Sequence, residues 1–256
     1  MIDVSTQVAP IMVVAFSLEQ AKQAEFDRFY QHQYLPKLLS VAPEVKNIVR
    51  YQSDRAASTT ASEAAAGEFL TIYELASTES LKNTDEIFTR TGLAEEMAEF
   101  KRWKEQVSGF SRVNYQLTYE HSRRPAAGRF ANQHLLYFTS EVLPEKVEEF
   151  RQWYQVSYLP RLMADIPGIS ALRRYSTWSG SAPVDANAKV TGKAPKPVGQ
   201  FLTVMESADE VTLAASIERM AAPHRALENE AMQKWLDTAV KFTASNTYRP
   251  IFSLPA

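Results

Sequence analysis

The stretch EFDRFYQHQYLPKLL (25–39) returns as EFRQWYQVSYLPRLM (149–163). Phe26 answers to Phe150, Tyr30 to Tyr154, Tyr34 to Tyr158 and Pro36 to Pro160, each 124 positions later. In the first copy apolar residues fall at 26, 29, 30, 34 and 38, the spacing of one buried helix face. Pro36 is expected to bend or end this helix near its last turn, because proline brings no N–H and its ring collides with the carbonyl four residues back.

Working outward, the match continues. NIVRYQS (47–53) pairs with ALRRYST (171–177) at the same offset, and GEFLTIYEL (67–75) pairs with GQFLTVMES (199–207) at an offset of 132. Trp103 and Trp235 keep the larger offset, as do Asn114 and Asn246, so the second copy carries eight extra residues. They fall in GSAPVDANAKVTGKAPKPVG (180–199), whose Pro, Gly and Lys content reads as a long loop.

Each copy then resolves into elements. IMVVAFSL and HLLYFTSEV are short β-rich apolar runs that open the copies as strands. The repeated helix follows, then two strands, then a long helical stretch, broken near Gly92 in one copy and Pro223 in the other. VNYQLTYEH and NTYRPIFSL close the copies as strands. The order βαββαβ is the ferredoxin-like arrangement. The polar link SRRPAAGRFANQ (122–133) places the boundary near 128, giving repeat domains 1–128 and 129–256. One four-stranded sheet with helices on one face leaves its other face bare. The expectation is therefore an α+β fold in which two sheets pack face to face as a pseudo-dimeric α/β barrel.

These residues resemble the dimeric α/β-barrel superfamily and, within it, the EthD-like branch. The likeness is carried by Phe26, Tyr30, Pro36, Leu38, Pro43, Arg50 and Tyr51, and again by Phe150, Tyr154, Pro160, Leu162, Pro167, Arg174 and Tyr175. EthD-like helices commonly carry His two places before the proline; here that place is Tyr34 in one copy and Tyr158 in the other. The resemblance implies isomerase, lyase, cyclase or cofactor-free oxygenase chemistry, and in other branches haem binding.

Candidate site residues follow from the polar groups on these elements. Tyr34 and Tyr158, on the apolar helix stripe, are candidate acids, with the alternative that both are core residues with a hydroxyl at the rim. Arg50 and Arg174 lie inside apolar strands, where a guanidinium fork can hold a carboxylate or phenolate. Their ordinary alternative is a cross-strand pair with Glu74 and Glu206. Those acids are themselves candidate bases if an apolar cavity raises their pKa. Of the four histidines, His224 follows the helix break and is the candidate to face a pocket, while His32 is expected to face solvent. Tyr30, Tyr154, Trp103 and Trp235 complete an aromatic set suited to a flat ligand.

Composition narrows the partners. A net charge of −2 argues against nucleic acid. There is no cysteine, no paired histidine at metal-ligand spacing and no phosphate or dinucleotide loop. The expectation is no cofactor and no metal. No apolar run is long enough to span a membrane, so a soluble cytoplasmic protein is expected, with a homodimer as an assembly open to it. The leading reading is a cofactor-independent lyase or isomerase that transfers protons on a small aromatic (phenolic) or polyketide-like substrate. The alternatives are a haem-binding or cofactor-free oxygenase barrel, for which His224 would be the proximal ligand, and a non-catalytic aromatic-binding protein. The second copy, which owns both His224 and the long loop, is expected to hold the specialised site, with the loop as a lid.

Overall fold

A computed structural model describes residues 9–54, 66–123, 130, 133–178 and 199–255. The boundary near 128 and nearly all of the expected lid loop lie outside these residues. The first copy runs β1 (Ile11–Glu19), α1 (Gln20–Phe29), a five-residue π turn (Tyr30–Tyr34), α2 (Leu35–Val41), β2 (Val45–Ser53) and β3 (Ala66–Leu75). Then come α3 (Thr78–Lys82), α4 (Thr84–Phe88), α5 (Ala94–Lys104) and β4 (Ser108–Ser122). The second repeats the plan with β5 (His134–Val142), α6 (Val147–Trp153), a π turn (Tyr154–Tyr158), α7 (Leu159–Asp165), β6 (Ala171–Thr177) and β7 (Gln200–Ser207). It closes with α8 (Glu210–Met220), α9 (Ala226–Thr238) and β8 (Val240–Pro255). The hydrogen-bonded strand order β1-β3-β2-β8-β5-β7-β6-β4 closes, so the α+β fold is the expected eight-stranded barrel of two ferredoxin-like halves.

The prolines act differently from the simplest expectation. Neither Pro36 nor Pro160 ends its helix; each follows a widened turn. Leu35 N–H donates to the Tyr30 carbonyl, five residues back, and Leu159 N–H donates to that of Tyr154. Widening the turn relieves the clash that a proline ring makes with the carbonyl four residues behind it. The helix continues and keeps its tyrosines on one face.

By contacts the chain forms two compact units. The first comprises described residues within Met1–Gln116, Trp178–Gly192 and Pro250–Ala256; the second, those within Leu117–Thr177 and Lys193–Arg249. In the first unit alternate residues of β1 (Met12, Val14, Phe16, Leu18) join Ile48, Phe69 and Tyr73 in one core with the helices. In the second, Leu172, Phe201 and Met205 pack with Phe150, Tyr154, Leu162 and Leu213. Burying each large apolar side chain contributes roughly 1.5–3 kcal/mol. Equivalent N-caps open the helices after β3 and β7: the Ser77 and Asp209 side chains accept from Ser80 N–H and Thr212 N–H. No helix among the described residues is long and apolar enough to cross a membrane.

Candidate functional site

Each unit holds a cavity between its sheet and its helices. In the first unit it measures about 210 Å³, and Tyr30, Tyr34, Tyr73, Phe88, Phe100 and Phe110 form its walls. Exposed Lys101 and half-buried Lys104 and Arg112 complete its lining, with Arg112 ion-paired to Asp85. The π turn stacks Tyr30 on Tyr34 at 5.3 Å, and Tyr34 stacks on Phe100 at 5.1 Å. From β3 the Tyr73 hydroxyl meets the Tyr30 hydroxyl at 2.5 Å. Burial raises the pKa of Tyr30, and those of Tyr34 and Tyr73 by more, so all three are neutral donors near pH 7. Arg112 opposes the shift at Tyr34, and Arg50 opposes it at Tyr30 and Tyr73. None of the residues lining this cavity is a carboxylate or an imidazole.

Arg50 braces this site from behind. Its guanidinium is fully buried, ion-paired to Asp27, and lies 5.3 Å from the Tyr30 ring centre and 4.8 Å from that of Phe69. Register explains the grouping: Arg50 stands opposite Thr71 on β3, two residues from Tyr73, and side chains two apart share a face. Glu74 follows Tyr73 directly and so faces the other side of the sheet.

The second unit repeats the geometry with different chemistry. Its cavity, about 200 Å³, is walled by Tyr154, Tyr158, Phe138, Met205, Met220 and Met232, with no Lys or Arg in the lining. Tyr154 and Tyr158 stack at 5.3 Å, but Met205 stands where the first copy has Tyr73. Burial raises the pKa of both tyrosines, with Arg174 acting against the shift at Tyr154 and Arg225 at Tyr158.

The remaining candidates fall elsewhere. The expected pairs Arg50–Glu74 and Arg174–Glu206 are replaced by others. Arg50 takes Asp27, and buried Glu206 takes Arg173, which also binds Glu120 at 2.8 Å. Neighbouring residues of a strand point to opposite faces, so Arg173 and Arg174 cannot share a partner. His224 is exposed on the turn before α9; the adjacent Arg225 is the buried one, bound to Asp165. His32 is exposed, edge-on to Phe252. Trp103 and Trp235 pack edge-on behind Phe26 and Phe150, at 5.3 and 5.1 Å, and line neither cavity. Lys104, Arg112 and Arg225 are not marked by the sequence, whereas Tyr73 is marked as a position where the copies differ, with Met205 as its counterpart. The parity of Phe69, Thr71 and Tyr73 against Arg50 is the further signal that places Tyr73 at this site.

No group of three or more metal-binding side chains occurs among the described residues. A haem does not fit these residues either: no histidine lines either cavity, and each is smaller than the roughly 300–1,000 Å³ of common ligand pockets.

No protein-family model matches the sequence, and no curated protein matches it. Among solved structures, an anthrone oxidase-like protein superposes with a TM-score of 0.63 at 11% identity, covering 98% of this chain and 94% of the other. A candidate monooxygenase from Fusobacterium nucleatum gives 0.59 at 10% identity, over 98% and 95%. A candidate chlorite dismutase gives 0.51 at 13% identity, over 96% of each chain. The likeness spans both repeats and shows the dimeric α/β-barrel fold.

Proposed function

We propose that the first unit's cavity is the active site of a cofactor-independent lyase or isomerase for a small phenolic aromatic. The carrying observation is the set of three neutral, buried tyrosines in an aromatic-walled cavity whose lining also holds three cations. A flat ring is held by Tyr34, Phe100 and Phe110. Its oxygen lies toward the Tyr30–Tyr73 pair, and negative charge developing on a phenolate or enolate is met by Lys104 and Arg112. Protons reach the substrate from Tyr73, backed by its hydrogen bond to Tyr30. The lining supplies no carboxylate base, so the substrate gives its phenolic proton to solvent water as it binds as the anion, and Tyr73, once it has protonated the substrate, is reprotonated from solvent.

A second reading, a cofactor-free oxygenase, is favoured by the likeness to the anthrone oxidase-like protein: the same stabilised anion can meet O₂. The test is a screen of phenols bearing enolisable or hydroxymethyl side chains, under argon and in air, with an oxygen electrode. The expected result is turnover under argon that falls about 100-fold or more in Tyr73→Phe. Turnover only with matching oxygen uptake replaces the lyase or isomerase reading with the oxygenase. Equal turnover in Tyr73→Phe and Tyr30→Phe overturns the assigned roles.

A further inference from the structure

On α5 the charges are sorted by face. Glu95, Glu96, Glu99 and Arg102 line a groove against α1, and Arg102 is ion-paired to Glu99. Lys101 and Lys104 line the tyrosine cavity instead, and neither has an acid partner among the described residues. The Lys104 ammonium stands 4.5 Å from the ring centre of Phe110, a wall of that cavity. Helix residues three apart are neighbours, so these two like charges repel each other. Packing does not call for them. The second unit's cavity has Tyr154, Tyr158, Met205 and Met232 at the positions of Tyr30, Tyr34, Tyr73 and Phe100. At the positions of Lys101, Lys104 and Arg112, however, the second copy has Gln233, Leu236 and Ala244. The fold is thus built once with these cations and once without them.

We infer that the substrate of the first unit is a phenol that also carries a carboxylate, and that Lys101 selects for it. The inference rests on the function proposed for this cavity and narrows its substrate class. Charge decides the assignment. Arg112 already has Asp85, and Lys104 meets the charge that develops on the phenolic oxygen. Lys101 remains, and a carboxylate beside it gives each lysine an anion and relieves their mutual repulsion. Lys101 is exposed, so the carboxylate stays in contact with water and avoids the cost of burying a charge.

The test titrates the full chain, carrying methyl-¹³C methionine, with 4-hydroxyphenylacetate and with 4-hydroxyphenylacetamide, the same phenol without the charge. Met97 reports this cavity, and Met205, Met220 and Met232 report the other. Saturable shifts at Met97 are expected with both ligands, the acid binding about fivefold more tightly, as befits one exposed ion pair. Lys101→Gln places the second copy's residue at an exposed position, and there the acid and the amide are expected to bind alike. Equal affinities in the wild-type chain, or a preference for the acid that survives in Lys101→Gln, would overturn the inference while leaving the phenolic site in place. Shifts at Met97 with neither ligand would overturn the proposed function and the inference with it.

Discussion

At the scale of single residues, the pairing of charges decides what each side chain is free to do. Glu206 and Arg173 are both nearly excluded from solvent, whereas Glu120, the second acid on Arg173, is 23% exposed. Removing one partner of a buried pair costs about 3–5 kcal/mol, because it strands the other charge. Glu206→Gln is expected at the lower end of that range, since Arg173 keeps Glu120. A Glu120→Gln change is expected to cost about 1 kcal/mol, both read from urea midpoints. Equal costs for the two would show that burial does not govern the pair. The sequence placed the acids and arginines on strands, and the alternation of Leu70, Ile72 and Glu74 was legible. Which of two adjacent arginines meets an acid depends on register across strands, which a single strand does not record. Asp27 was hidden for a related reason: it lies on a helix, 23 residues before Arg50, in a different element.

At the scale of elements, the repeated segment is a helix adapted to its own proline. The sequence disclosed the helical face and the proline; it did not disclose that the helix would widen and continue, because that choice rests on Leu38 and Leu162 packing into their cores beyond the turn. Pro36→Ala restores an N–H and removes the ring clash, so the turn is expected to tighten toward α geometry. Retained far-UV circular dichroism with an altered near-UV tyrosine signal is expected, since Tyr30 and Tyr34 stack across this turn and tightening it changes their ring geometry. An unchanged near-UV spectrum would show that the turn persists without the proline.

At the scale of the whole molecule, the internal repeat made the ferredoxin-like order and the barrel legible, because one half-sheet must cover an apolar face it cannot cover alone. The chemistry was less legible, since the copies diverge at single positions such as Tyr73 against Met205. The buried tyrosines also set the alkaline limit of stability. Burial raises Tyr30, Tyr34, Tyr73, Tyr154 and Tyr158 above the ordinary value of 10.0. The unfolded chain therefore loses these protons first. Their contribution is intact below about pH 10 and declines as pH rises toward the folded-state values, by up to about 1.4 kcal/mol per pH unit for each group. Tyrosinate absorbance is expected to rise cooperatively with loss of helix; gradual ionisation centred near pH 10 in a folded chain would contradict the burial.

The central claim, that the first cavity stabilises an aromatic oxyanion, is tested most directly with 4-nitrophenol, whose phenolate is yellow. Its absorbance would be followed against pH with the wild-type chain and with Tyr73→Phe. The bound probe is expected to ionise at lower pH than the free one, and Tyr73→Phe is expected to return it toward the free value. A probe that binds as the neutral phenol, or one that ionises alike in both proteins, would contradict the account.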